Sequence, residues 1–252
     1  MMEALLLALA GGVMIGALLT LFGGGGSVLA TPWLIYVIGV SDVHLAIGTS
    51  AAAVAVNAAT GLAVQARAGR VKWPCASVFA LSGLAGSLIG AHLAKMVDGR
   101  QLLDWFALAM IAVALSMLWP RRSEGSPDVH LQPAMVLKLA PVGLIAGLAA
   151  GFFGIGGGFL IAPGLMASTG MTLANAAASS LVSVTLFGSA TSVSYALDGQ
   201  VDWPLFAALI AGGALGAALA APVSRWLVNR LPLARAAFAG MICLVAAYIL
   251  IR

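Results

Sequence analysis

The sequence predicts an all-α polytopic membrane protein made of two inverted-topology repeats, each of about five hydrophobic elements and each with a glycine-broken first helix. Three observations predict it: a composition nearly empty of charge, an alternation of apolar runs with short breaks, and an internal duplication whose basic loops change places. Of 252 residues, 62% are hydrophobic and 8% charged, and the mean hydropathy is +1.08. Soluble chains carry roughly 25% charged residues, so most of this chain has no water-facing side and no length is left for a soluble domain. The net charge of +4 comes from bases scattered singly along the chain. A nucleic-acid partner would need them clustered, so the charge is read as membrane orientation and the lipid bilayer as the surroundings.

The apolar runs are 4–22, 27–40, 44–66, 73–94 and 102–119, then 134–153, 159–170, 173–197, 203–228 and 233–251. The first run lacks the basic flank of a signal peptide and is expected to be retained as a helix. Between the two sets lies a polar connector at 120–133, containing Pro-Arg-Arg-Ser-Glu-Gly-Ser-Pro-Asp, the one stretch that resembles a solvent linker. The chain therefore divides into a first membrane repeat (1–119), a cytoplasmic connector (120–133) and a second membrane repeat (134–252). Cys75 and Cys243 both sit in apolar runs with no second cysteine or histidine at ligand spacing, so neither a metal nor any other cofactor is expected.

The duplication is read by aligning Pro32 with Pro163. Gly16, Phe22, Gly23, Gly25, Gly26 and Gly39 then meet Gly147, Phe153, Gly154, Gly156, Gly157 and Gly170, an offset of 131. After one dropped residue near position 45 the offset is 130, and Ser50, Gly69, Val71, Trp73, Pro74, Gly83 and Gly86 meet Ser180, Gly199, Val201, Trp203, Pro204, Gly213 and Gly216. A Trp-Pro pair in register with a glycine block is hard to obtain by chance. If each half crosses an odd number of times, Arg67, Arg70, Lys72, Arg121, Arg122, Lys138, Arg225, Arg230 and Arg235 collect on one side, against Lys95, Arg100 and Arg252 on the other. That split is more uneven than four crossings per half would give. It places the connector in the cytoplasm, both termini outside, and the halves in opposite orientations.

The strongest local signal is the interrupted segment, Leu-Phe-Gly-Gly-Gly-Gly-Ser-Val-Leu-Ala-Thr-Pro (21–32) and Phe-Phe-Gly-Ile-Gly-Gly-Gly-Phe-Leu-Ile-Ala-Pro (152–163). Each glycine inside a helix costs about 1 kcal/mol relative to alanine, so these runs are expected to open the helix. Open backbone inside a bilayer is tolerated only against protein or a water-filled cavity. The second piece of each broken helix would then start with free N–H groups that attract anions. The competing use of glycine is close helix packing, the reading given to Gly143, Gly147 and Gly151 and to Gly212 and Gly216.

These blocks, with Ala-Ser-Ser-Leu (178–181), Asp-Gly-Gln-Val-Asp-Trp (198–203), Ala-Ile-Gly-Thr-Ser (46–50) and Ala-Gly-Arg-Val-Lys-Trp (68–73), resemble the TauE/SafE family of sulfite and organosulfonate exporters over essentially the whole chain. The resemblance implies a bacterial inner-membrane transporter of sulfur-containing anions. It does not fix the substrate. One departure is that Gly24 and Ser27 stand where the second block has Ile155 and Gly158, so the half-sites need not be equivalent.

The expected substrate-binding set is Gly23, Gly24, Gly25, Gly26 and Ser27 with Gly154, Gly156, Gly157 and Gly158, joined by Thr49, Ser50, Asn57, Ser179 and Ser180. Hydroxyls and amides can donate to sulfonate oxygens without bringing a formal charge into the membrane. Gln65 and Arg67 are placed at a cytoplasmic mouth. The charged residues all lie at or near segment ends, so no carboxylate proton relay is expected, and His44 and His92 are read as interfacial. With no HExxH, paired acids or GxSxG, no catalytic or metal site is expected and an enzyme is disfavoured. The expected function is export of sulfite or small organosulfonates such as sulfoacetate, held at midplane by the broken-helix ends, with a homodimer left open. The alternatives are a transporter of another small anion or neutral solute, and a non-transport membrane assembly protein.

Overall fold

The computed structural model describes residues 2–118, 125, 126, 128–154, 158–227, 240 and 243–249. Helix α1 (Met2–Phe22) runs into a 3-10 segment (Gly23–Leu29), a single turn α2 (Ala30–Pro32) and a π segment (Trp33–Ile38). Then come α3 (Val43–Arg67), α4 (Trp73–Ala94), α5 (Gly99–Leu118), α6 (Pro133–Phe153), α7 (Gly158–Thr169), α8 (Leu173–Leu197) and α9 (Trp203–Leu227). Among the described residues six helices are long and apolar enough to cross a membrane, and Gly26–Ile38 and Leu160–Thr169 are shorter apolar helices. The last expected run, 233–251, lies outside the described residues except for Gly240 and 243–249, which are helical.

Local chemistry sets the ends of these helices. Asp42 caps α3 by accepting from the backbone of His44 and Leu45, and Thr172 caps α8 by accepting from Asn175. Gly39 and Gly170, and Gly69 and Gly199, take left-handed backbone just beyond helix ends, where glycine carries no steric penalty. Each pair sits at the repeat offset.

Packing joins the two halves rather than separating them. Helix α1 lies along α9, α4 along α6, and α3 along α8. The first two seams are glycine-lined. A Cβ on Gly16 would fall on the Gly213 carbonyl, and one on Gly147 on the Gly83 carbonyl; these are the same contact at the repeat offset. Gly143, Gly151, Gly212 and Gly216 likewise abut facing backbone, as the packing reading required. The order of contacts gives direction. In α1 and α9, Leu9 meets Gly212 and Val13 meets Gly216, so the helices run parallel. In α3 and α8, Gly48 meets Tyr195, Gly188 meets Ala55 and Gly61 meets Leu181, so these run antiparallel.

Gly147→Val should therefore lower the apparent melting temperature in detergent, since forcing bulk into a packed seam costs about 1–3 kcal/mol. Gly61→Ala should leave it unchanged or raise it. Its Cβ would stand 3.5 Å from Leu181, in ordinary contact, and alanine gains up to about 1 kcal/mol in helix propensity. A thermal scan of both variants checks the pair; equal melting temperatures would refute the seam.

The described part of the connector is not a free linker. Ser126 donates its N–H to Gly170 (2.9 Å) and accepts from Thr172, and Val129 and Leu131 pack against the core. Lys72 and Asp128 stand 3.8 Å apart. The far side of the connector is thereby fastened over the α7–α8 turn.

Candidate functional site

The α-helix is interrupted at both glycine blocks, but in different ways. Gly23, Gly24, Gly25, Gly26 and Ser27 do not open the chain as expected: they wind it more tightly, as one 3-10 segment that leads through Leu29, itself right-handed, into α2. Consecutive glycines accept the tighter winding because no side chains crowd the turn. A free helix N-terminus is thus not formed in the first half. In the second half α6 stops at Gly154, left-handed at φ 66°, and α7 starts at Gly158. Gly156 and Gly157 lie outside the described residues. The 3-10 segment packs against α7 and α8, and Gly154 abuts Ile47 of α3.

The buried polar side chains described are hydroxyls and one amide: Ser27, Thr31, Thr49, Ser50, Asn57, Ser87, Ser179, Ser180, Ser183 and Thr191, with Ser168 and Thr169 at the end of α7. None of the buried polar side chains described carries a charge. Thr31 and Ser50 share a 2.8 Å hydrogen bond, tying the short segment after the first interruption to the N-terminal part of α3. Ser50 and Ser180 also donate to backbone carbonyls of their own helices, Ile47 and Ala177. Ser183 Oγ, fully buried on α8, has no hydrogen-bond partner among the described residues.

Thr49 and Ser179 turn out to be committed elsewhere. Thr49 Oγ1 accepts from the Asp202 N–H (2.9 Å) and donates to Leu45 (2.7 Å). Ser179 Oγ accepts from the Lys72 N–H, also at 2.9 Å. These are one contact repeated at offset 130: a mid-bundle hydroxyl of each half satisfies an orphan N–H at the start of the other half's helix. The pair fastens the halves together; Thr49 spends its O–H on Leu45, whereas Ser179 only accepts in this contact.

Asn57 faces α9 instead of the interruptions. Its amide lies on Gly213, Nδ2 donates weakly to Leu209 (3.4 Å), and Oδ1 is buried without a partner among the described residues. At offset 130 its place is held by Phe187, which packs on Gly83. Gln65 and Arg67 close α3, where Gln65 Oε1 accepts from Arg70 (3.2 Å) and Arg67 is exposed. They lie far from Thr31 and Ser50, at the opposite end of α3.

Sequence reasoning passed over three features. Thr31 was hidden in the glycine motif, although its place before Pro32 marks it as the first polar residue beyond the interruption. Ser87 donates to Phe187 and pairs with Thr191 (3.3 Å), a link visible only once α4 and α8 are known to touch. The third is a polar cluster at the α3 N-terminus: His44, expected at the interface, instead stacks on the fully buried Tyr195, with ring centroids 6.1 Å apart. His92 is exposed, in the last turn of α4. Among the described residues, no three His, Cys, Asp or Glu side chains are grouped to hold a metal.

Residues 8–249 match the profile of the family described as Sulfite exporter TauE/SafE. A probable membrane transporter protein of Xylella fastidiosa (strain 9a5c) is 40% identical over 99% of this chain and 96% of its own length. The probable membrane transporter protein YunE of Bacillus subtilis is 26% identical over 85% of this chain and 86% of its own. A probable membrane transporter protein of Haemophilus influenzae is 26% identical over 79% and 76%. No solved structure matches.

Proposed function

Because the chain belongs to the sulfite exporter TauE/SafE family of membrane transporters, we propose that it is a bacterial inner-membrane secondary transporter that exports small sulfur-containing anions, sulfite or an organosulfonate such as sulfoacetate. The observation that carries the reading is that the buried polar side chains described are hydroxyls and one amide, with no charge among them. Hydroxyls can donate to sulfonate oxygens, and no carboxylate, which recognition of a cation would ask for, is among the buried polar side chains described. Ser180 and Ser183, neighbours on α8, are the side chains assigned to the anion, Ser183 with its Oγ buried and unpaired among the described residues; Ser50 and Thr31, bonded to each other, lie towards the other end of the α3–α8 pair. The N-terminus of α7 adds its partial positive charge. A thermal-shift panel in detergent tests this reading, since a ligand of the folded state raises its apparent stability. Sulfite, sulfoacetate and taurine should shift the melting temperature and monovalent cations should not. A shift with uncharged analogues alone would move the assignment to a neutral solute.

Alternating access in this reading uses oppositely oriented halves. The antiparallel course of α3 and α8, which correspond at offset 130, supports it, as does the swap of basic loops. After replacement of Cys75 and Cys243, a cysteine at Gly69 should be labelled only from the cytoplasm, and one at Gly199 only from outside. Both are exposed turn positions where a Cβ meets nothing within 4 Å. Labelling of both from one side would refute the opposed orientation.

A further inference from the structure

We propose that Lys95 and Asp198 close one mouth of the transport path, and that a passing oxyanion opens it by taking the place of Asp198 on the Lys95 ammonium. This rests on the anion-transport reading above. Lys95 caps the C-terminus of α4, while Asp198 caps that of α8. Its Nζ donates to Asp198 Oδ2 at 2.6 Å and to the Ser194 carbonyl at 2.7 Å, and lies 5.1 Å from the centre of the Tyr195 ring. One cation thus holds the end of a first-half helix to the end of a second-half helix by a charge-assisted hydrogen bond, a C-terminal carbonyl and an aromatic face.

Two further observations make this a gate rather than a surface ion pair. First, the contact is one-sided. At offset 130 the equivalents of Lys95, Tyr195 and Asp198 are Arg225, Gln65 and Ala68, so the equivalent positions carry neither the acid nor the ring; the ion pair described at that end, Lys72 with the exposed Asp128, is longer at 3.8 Å. Second, polar atoms behind the pair are held without partners. Tyr195 OH, His44 Nδ1 and Gln200 Oε1 are all buried with no hydrogen-bond partner among the described residues. They belong to one seam, since His44 stacks on Tyr195, and Gly48, one turn further along α3, abuts both the Tyr195 Cβ and the Gln200 carbonyl. Burying such groups unpaired is unfavourable. When α4 parts from α8, the tyrosine hydroxyl can donate to water or to an oxyanion oxygen beside the freed ammonium. A carboxylate and a sulfonate present similar oxygens to Lys95, so exchange between them needs no other change in the site.

Ala91 reports the gate. It lies one turn inside Lys95 on α4, fully buried in the same cluster as Tyr195. In a background without Cys75 and Cys243, Ala91→Cys should react slowly with a small impermeant sulfonated methanethiosulfonate while the pair is intact. Asp198→Asn and Lys95→Gln should each speed labelling roughly fivefold or more, the factor expected for losing a half-exposed charge-assisted hydrogen bond. The double exchange Lys95→Asp with Asp198→Lys should restore slow labelling. Unchanged labelling in both single variants, or fast labelling in the exchanged protein, would overturn the gate. Flux separates the docking role. Asp198→Asn keeps the cation and should speed sulfoacetate efflux from proteoliposomes, whereas Lys95→Gln should raise the KM without speeding it. Identical flux in the two would overturn Lys95 as an anion contact. If the unmodified gate moves neither sulfite nor sulfoacetate while Asp198→Asn still exposes Ala91→Cys, the sulfur-anion reading fails and the gate stands.

Discussion

Sulfoacetate loaded into proteoliposomes is expected to leave quickly when a valinomycin-set potassium gradient makes the interior negative, and slowly when the sign is reversed. The argument starts from what the buried interior contains. Its described polar side chains are hydroxyls and an amide, with no acid among them to carry a proton. The membrane potential then acts on the anion itself. One elementary charge crossing 100 mV is worth about 2.3 kcal/mol, so a dianion gains roughly 4.6 kcal/mol on leaving a negative interior. At about 1.4 kcal/mol per decade this sustains a gradient on the order of a thousandfold or more. Export would need no second ion, which suits removal of sulfite or sulfonate produced in the cytoplasm. Efflux that ignores the potential and follows an imposed pH gradient would refute this, and would point to proton symport or a protonated substrate.

The helices were legible in the sequence because each end has a local cause. Asp42 and Thr172 are caps, Gly39, Gly69, Gly170 and Gly199 are terminators, and Trp73-Pro74 and Trp203-Pro204 begin helices. The seam glycines were legible too, since four-residue spacing puts them on one helix face. Which helices share a seam was not. Gly16 and Gly213 are nearly two hundred residues apart, and nothing local to either says that α1 lies on α9. The same gap hid the structural part that Thr49 and Ser179 play. Their symmetric placement was correctly noticed, but it reflects two copies of a fastening between halves, each completed by a backbone N–H from the other repeat. The form of the first interruption was illegible for a different reason. Four glycines license either unwinding or tighter winding, and the choice is made by the neighbours: a Cβ on Gly26 would collide with Leu18 and Leu19 of α1, against which the 3-10 segment folds.

Gly25→Asp and Gly156→Asp are expected to abolish anion binding while leaving the protein folded. Gly25 lies in the 3-10 segment that packs against α7 and α8, and Gly156 is its counterpart at the repeat offset, close before the start of α7. A carboxylate at either place would stand where the substrate's own negative charge is proposed to rest. Two like charges about 4 Å apart repel by roughly 4 kcal/mol at an effective dielectric constant near 20. That predicts a loss on the order of a hundredfold or more in affinity. Asparagine at the same positions has nearly the same size without the charge, so Gly25→Asn and Gly156→Asn should lose much less and separate repulsion from bulk. Gly143→Ala provides the opposite control: its Cβ would press on Phe79 of α4, so it should lower the melting temperature while the anion still produces its full shift. The measurement is the ligand-induced thermal shift of purified protein, with monodispersity checked by size-exclusion chromatography. Full anion binding by both aspartate variants would make the glycine runs packing devices and move the site away from the interruptions.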